Sequence, residues 1–158
     1  FGGTGYLAGL IKNQNKIKKN KYIFFSRKKS VRYNIDYFSL NKNANFLKNF
    51  DVILHLAGPN QNQLIKNESL LKKKNQITSN ICDFCLNHKI KLVYMSSMQV
   101  YEDYGKNNIS INSKINQKNL YSTLHNKSEK IIIKKFLKHK NMFTILRMGN
   151  VFGLKKKK

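Results

Sequence analysis

Short runs of β-branched and aromatic residues alternate along the chain with longer stretches whose apolar positions recur at helical spacing. The runs predict strands over Tyr22–Ser26, Val31–Ile35, Val52–Leu56, Lys91–Ser96 and Phe143–Arg147. The helical spacing predicts helices over Tyr6–Lys16, Ala44–Asn49, Leu64–Asn87 with a break near Lys74, and Leu120–Lys138. Strands such as Val52-Ile53-Leu54 are apolar without alternation, which suits strands covered on both faces. Strand–helix alternation with buried strands implies an α/β fold: a Rossmann-type, doubly wound parallel sheet with helices on both faces. Residues 102–119 are polar, rich in Asn, Ser and Lys, and lack periodicity, so they read as a long surface loop. No internal repeat or linker divides the chain, and residues 1–158 are expected to form one domain.

Composition changes this picture little. Hydrophobic residues make up 41% of the 158, with 10 Phe and 8 Tyr, which is ordinary for a globular chain. No apolar run approaches the roughly 20 residues that cross a bilayer, and no signal-peptide pattern is present. Cys82 and Cys85 form a Cys-x-x-Cys inside a predicted helix, without a second pair for zinc. They read as reduced core thiols, in keeping with a cytoplasmic protein. The net charge of +24 raises the possibility of a nucleic-acid partner. Lys, Asn and Ile are all abundant, however, as an A- and T-rich coding sequence would produce. The lysines are scattered, and no helix-turn-helix, zinc-finger or RNP-type pattern accompanies them. Specific nucleic-acid binding is not expected, while weak, salt-sensitive adhesion to polyanions is.

Candidate chemistry begins at the first residues, Phe1-Gly2-Gly3-Thr4-Gly5-Tyr6-Leu7-Ala8. Gly2 can adopt a left-handed turn, Gly5 admits close backbone approach, and Ala8 lets the following helix press on the sheet. That helix would direct its positive N-terminus at a pyrophosphate. Glycines before a helix also serve as plain tight connections, so the turn alone does not decide. The strand that should precede such a turn is not in the sequence, and the chain reads as a fragment of a longer protein. Ser26-Arg27-Lys28-Lys29 closes the next predicted strand. An acidic residue there would bind a ribose 2′-hydroxyl, whereas Arg27, assisted by Lys28, suits the 2′-phosphate of NADP. A solvated basic run reads the same way in so basic a chain. Asp36, one of only seven acidic residues, closes the following strand and could accept from an adenine amino group. Leu56-Ala57-Gly58 supplies small residues after a buried strand, where backbone can run close to a cofactor. His55 lies within that strand and reads as structural.

Ser96 and Ser97 stand at the carboxyl end of the Lys91–Ser96 strand, where α/β sheets bind ligands. Tyr121 opens a helix with His125 one turn away on the same face. A tyrosine can move a proton of a substrate hydroxyl if a neighbouring cation lowers its pKa of about 10. Lys127, six residues on, points about 240° around the helix and cannot fill that place.

With these motifs in order, the chain resembles the extended short-chain dehydrogenase/reductase family, in its NAD-dependent epimerase/dehydratase branch. Gly2, Gly5 and Ala8 match the Gly-x-x-Gly-x-x-Gly/Ala turn, Asp36 the adenine-contacting aspartate, and His55-Leu56-Ala57-Gly58 the His-Leu-Ala-Ala/Gly segment. Asn75 matches the asparagine that props the active site. Ser97 matches the catalytic serine of Ser-Ser-x-x-Val-Tyr, and Tyr121 and Glu129 match Tyr-x-x-x-Lys-x-x-x-Glu. Arg147-Met148-Gly149-Asn150-Val151-Phe152-Gly153 resembles the Arg-Pro-x-Asn-Val-Tyr-Gly strand, whose asparagine approaches substrate. The resemblance implies a nucleotide-sugar substrate, NADP or alternatively NAD, and catalysis by Ser97, Tyr121 and His125. It implies cofactor contacts from Gly2, Gly5, Tyr6, Leu7, Arg27, Asp36, Leu56, Ala57, Gly58 and Asn75, a substrate contact from Asn150, no metal, and a homodimeric parent protein. The family's lysine falls on His125. An imidazole is shorter and only partly charged near neutral pH. His125 therefore either serves as a weaker substitute, or the fold survives as a non-catalytic sensor or macromolecule-binding module.

Overall fold

A computed structural model describes residues 1–14, 22–27, 33–40, 45–102, 108–115 and 119–151. Helix α1 (Tyr6–Gln14) follows the glycine turn. A parallel sheet then forms from β1 (Val52–His55), β2 (Lys91–Ser97) and β3 (Phe143–Met148), in that spatial order. Val52 stands opposite Lys91 in the first pair, and Leu92 opposite Phe143 in the second. Parallel neighbours need a crossover. The first crossover carries α2 (Gln61–Lys66) and α3 (Ser69–Asn87), and the second carries α4 (Leu120–Lys135). The arrangement is α/β and Rossmann-like, as the alternating pattern predicts.

Leu92 and Tyr94 of β2 turn one face of the sheet toward Ile77, Ile81, Phe84 and Cys85 of α3 and Ile132 of α4, and all of these are buried. Each such side chain contributes about 1.5–3 kcal/mol by leaving water. Lys135 of α4 also donates to Asp83 of α3 at 2.5 Å, tying the two helices at their partly exposed rim. Cys82 and Cys85 are buried and unbonded, and burial pushes the Cys82 thiol up to about 12. No helix of the described residues is long and apolar enough to cross a membrane.

Four expectations are modified. The predicted Leu64–Asn87 helix breaks at Asn67 and Glu68, not near Lys74. Asn67 takes an extended conformation (φ −155°, ψ 95°), and its side-chain oxygen accepts from the Ser69 backbone N–H at 3.0 Å and hydroxyl at 2.7 Å. Lys74 lies inside uninterrupted α3, on the same face as Ile77, Thr78 and Ile81. The Tyr22–Ser26 and Val31–Ile35 strands are reduced to one parallel bridge, Ser26 with Asn34; residues 28–32 lie outside the description. A ladder needs partner backbone, and the glycine turn offers this segment one backbone bond among the described residues, Gly3 N–H to Phe25 O (2.8 Å), beside a hydroxyl contact of Thr4 with Ser26 at 3.2 Å. Phe1 itself pairs like a strand residue with the free edge of β1: its nitrogen donates to Leu54 O at 2.6 Å, and Leu56 N–H donates to Phe1 O at 3.0 Å. A narrow apolar cavity beside it is lined by Ile23, Phe25, Leu47, Phe50 and Ile53. Residues 45–49 form a 3₁₀ turn where a helix was predicted. Finally, the polar 102–119 segment is not free of pairing: Tyr101 bridges Ile115 antiparallel, and Glu102 N–H donates to Lys114 O at 2.8 Å, with residues 103–107 and 116–118 outside the description.

Candidate active site

The carboxyl ends of β1 and β2 open onto a cavity of about 700 Å³ whose wall includes the glycine turn and the start of α1. Gly2 has φ +87°, and a Cβ there would lie 2.7 Å from Ala57 N and 2.8 Å from the Leu56 carbonyl carbon. Backbone approach this close admits no side chain. Gly5 N–H donates to Gly2 O at 3.0 Å, closing the turn, and Ala8 on the inner face of α1 is fully buried. Thr4, Gly5, Tyr6 and Leu7 line the cavity, which places the start of α1, where a helix leaves its first N–H groups without intrahelical partners, in its wall. That cradle fits a pyrophosphate. Leu56, Ala57, Gly58, Ser26 and Arg27 continue the wall. Tyr37, which the sequence reading passed over, completes it: its hydroxyl accepts from Gly2 N–H at 3.0 Å and donates to Phe25 O at 3.3 Å.

At the other end of the cavity lie Ser97, Tyr121 and His125. Ser97 is set by the end of β2 and by capping a 3₁₀ turn over Met98–Val100, where its oxygen accepts from Gln99 N–H at 3.2 Å. Tyr121 and His125 ride on the first turns of α4. That helix starts sharply because Asn119 and Ser122 form a reciprocal capping box. The two rings meet edge to face with centroids 4.6 Å apart. The Tyr94 hydroxyl lies 2.9 Å from His125 Nδ1 and holds the imidazole in place. Burial, with a smaller effect from the Lys74 charge, lowers the His125 pKa to about 3, so the ring is neutral. Burial raises the Tyr121 hydroxyl above its ordinary value.

Behind these residues is a buried polar layer. Ser96 donates to Glu129 Oε1 at 2.5 Å, and Arg147 grips both Glu129 oxygens, Nε to Oε1 at 3.1 Å and a terminal nitrogen to Oε2 at 2.7 Å. The other Arg147 nitrogen donates to the Tyr101 hydroxyl at 2.6 Å. This clamp joins β2, β3 and α4 and sets the helix that carries Tyr121. Its contact with the guanidinium raises the Arg147 pKa further.

Not every predicted residue comes to the cavity. Asp36 is exposed outside its wall and accepts from Phe38 N–H and the Ser39 hydroxyl at 3.0 and 2.9 Å. Asn150 is exposed and likewise outside the lining, while its neighbours Gly149 and Val151 belong to it. Lys28 lies outside the described residues. Asn75 does not line the cavity, but Lys74, one residue earlier, does. Lys74 is 3% exposed, with its ammonium 2.6 Å from His55 Nε2 and hydrogen-bonded to Ala57 O. Its place was legible: Lys74, Ile77, Thr78 and Ile81 share one helical face, so this lysine belongs with the core rather than with the solvated run Lys72–Lys74. Among the described residues no cluster of His, Cys, Asp and Glu is suited to hold a metal.

The profile of the NAD dependent epimerase/dehydratase family matches residues 1–158. No curated protein matches the chain. Among solved structures, it resembles the UDP-N-acetylglucosamine 4-epimerase of Bacillus cereus, with a TM-score of 0.81 and 22% identity over 99% of this chain and 55% of that one. L-threonine dehydrogenase from Phytophthora infestans superposes with a TM-score of 0.76 at 15% identity, covering 92% of this chain and 51% of its own. MoeE5 in complex with UDP-glucose and NAD gives 0.74 at 16%, covering 91% and 50%. At these identities the likeness is one of fold, and the chain spans about half the length of the relatives it matches. The glycine cradle, the parallel sheet and the profile match over all 158 residues agree: this chain belongs to the NAD dependent epimerase/dehydratase family.

Proposed function

We propose that the protein is an NADP-dependent epimerase, dehydratase or reductase acting on a nucleotide sugar, and that this chain is its dinucleotide-binding, proton-moving half. One observation carries the reading: a single cavity brings the glycine turn at one end together with Ser97, Tyr121 and His125 at the other. When bound, the dinucleotide would accept or return a hydride at the reacting sugar carbon. Gly2, Gly5, Tyr6 and Leu7 would seat its pyrophosphate, Leu56, Ala57 and Gly58 would run beside it, and Asp36 would meet the adenine. Exposed Arg27 at the cavity wall would pair with a 2′-phosphate. Ser97 would donate to the reacting oxygen, Tyr121 would give or take its proton, and neutral His125 would offer a hydrogen bond to the nicotinamide ribose. Asn150 would approach the sugar. Exposed Ile133 in the last turn of α4 and Leu137 just beyond its end supply an apolar edge for a homodimer contact. The protein would work in the cytoplasm.

Fluorescence titration of the intact protein with NADPH and NADH tests this. NADPH should bind more tightly, and Arg27→Ala should remove the difference. Tyr121→Phe should lower turnover of a nucleotide sugar by about 10²–10⁴-fold while leaving dinucleotide affinity in place. Binding without turnover of any nucleotide sugar would point to a sensor, and no dinucleotide binding would end the proposal.

A further inference from the structure

A neutral imidazole carries one proton on two nitrogens, and the hydrogen bond made at one nitrogen decides what the other offers. His125 is neutral, and its Nδ1 lies 2.9 Å from the Tyr94 hydroxyl. Two arrangements satisfy that distance: Tyr94 donates to a bare Nδ1, or a protonated Nδ1 donates to Tyr94. In the second, the phenol proton needs another acceptor. Tyr94 is 1% exposed, and among the described residues its hydroxyl has no hydrogen-bond acceptor but His125 Nδ1. The Ser128 hydroxyl acts on Tyr94 in the sense of a donor, favouring the ionised form, and itself accepts no hydrogen bond. Burial holds the proton on the phenol by raising its pKa well above the ordinary value. Leaving that proton unpaired in a dry interior costs more than the first arrangement, in which Nε2 carries the imidazole proton.

We propose that Tyr94 is a positioning residue: by donating to His125 Nδ1 it fixes the imidazole in its Nε2–H form and presents that N–H to the cavity as a single hydrogen-bond donor. β2 and α4 bring the two side chains together from 31 residues apart. His125 lines the cavity, and its Nε2 has no protein partner among the described residues, so this donor is left for a ligand oxygen. Turning the ring by 180° would set a carbon against the Tyr94 hydroxyl and strand its proton. The same bond therefore selects the rotamer as well as the tautomer, and the Tyr121 ring, edge to face on the imidazole, packs against that orientation. Both nitrogens are then committed. Nδ1 accepts from Tyr94 and Nε2 already holds a proton, so His125 does not take the Tyr121 proton and serves only to orient a ligand. The proton that Tyr121 moves passes between its phenol and the reacting oxygen. A neutral N–H suits an uncharged oxygen such as a ribose hydroxyl, where a lysine would bring three donors and a charge.

This role for Tyr94 refines the one proposed above for His125 and rests on that reading. It is tested on the intact protein without dinucleotide, by long-range ¹H–¹⁵N correlation of the histidine rings, with His125 assigned by its loss in His125→Phe. At pH 7 the wild type should show a protonated Nε2 and an unprotonated Nδ1 that accepts a hydrogen bond. Tyr94→Phe removes only the hydroxyl and should move the Nδ1 resonance to that of a nitrogen accepting none. A protonated Nδ1 in the wild type overturns the proposal, and so does an Nδ1 resonance unchanged in Tyr94→Phe. Should Tyr94→Phe not fold, the wild-type spectrum decides alone. NADPH titration of the same samples gives a second readout. Tyr94→Phe should weaken binding about fivefold, the worth of one hydrogen bond, and should add nothing in the His125→Phe background. Equal weakening in both backgrounds would mean that Tyr94 acts on the fold and not through His125, and overturns the proposal. Absence of dinucleotide binding in the wild type would end the enzyme reading, while the ligand-free spectra still decide the bond between Tyr94 and His125.

Discussion

Gly2 illustrates how a single position can serve both the backbone and the ligand. Its φ of +87° is costly for any L-residue, and its missing Cβ is what lets the turn lie against Leu56 and Ala57. Gly2→Ala should therefore remove dinucleotide binding and lower stability by about 2 kcal/mol or more, read by nucleotide fluorescence and by urea unfolding. This residue was legible in the sequence because a Gly-x-x-Gly turn before a helix is a local pattern. Tyr37 and Tyr94 were not flagged. Each reaches the cavity from a distant segment, and a hydrogen bond such as Tyr94 to His125, 31 residues apart, leaves no trace in spacing. His125 shows the converse. Its position one turn after Tyr121 could be read directly, but its neutral state depends on burial against Tyr94 of β2 and on the Lys74 charge from α3.

At the scale of elements, α4 presents Tyr121 and His125, and its orientation rests on the Glu129–Arg147 clamp to β3. Glu129 is 2% exposed and Arg147 15%, so removing one charge strands the other in a dry place. Arg147→Met should cost about 3–5 kcal/mol in urea denaturation, more than any exposed ion pair of this chain such as Glu102–Lys114. Turnover should fall with it, because Tyr101 loses its partner and Glu129, which also accepts from Ser96, loses the guanidinium that holds it. The sequence pointed to Glu129 and Arg147 separately, each within a motif, and only packing joined them. Element types were legible wherever the apolar period was long, as in α3 and α4. The break at Asn67 was missed because it is made by an Asx turn to Ser69, a local bond with no apolar signature. The 22–26 segment has full strand character, yet strand formation is a property of pairs, and its backbone meets a partner at single points.

Across the whole molecule, buried neutral histidines link stability to pH. The folded pKa of His125 is lowered to about 3, and burial also holds His55 well below its ordinary value, whereas the unfolded chain takes up these protons near 6.5. The unfolded state thus binds more protons in this window, and the stability present above about 6.5 is lost as pH falls toward 3. Urea midpoints measured from pH 7.5 to 4 should decline, and His125→Phe should flatten part of that decline. What the sequence determined alone was the alternation of strands and helices, the glycine turn, and the order of Ser97, Tyr121 and His125 along the chain. These are local or periodic properties, written in neighbouring residues. Only the tertiary structure decided which side chains share the cavity, that His125 is uncharged, that Asn75 stands outside while Lys74 enters, and that Glu129 finds Arg147. Burial and charge coupling depend on residues far apart in sequence meeting in a medium that excludes water, and no window along the chain contains that information.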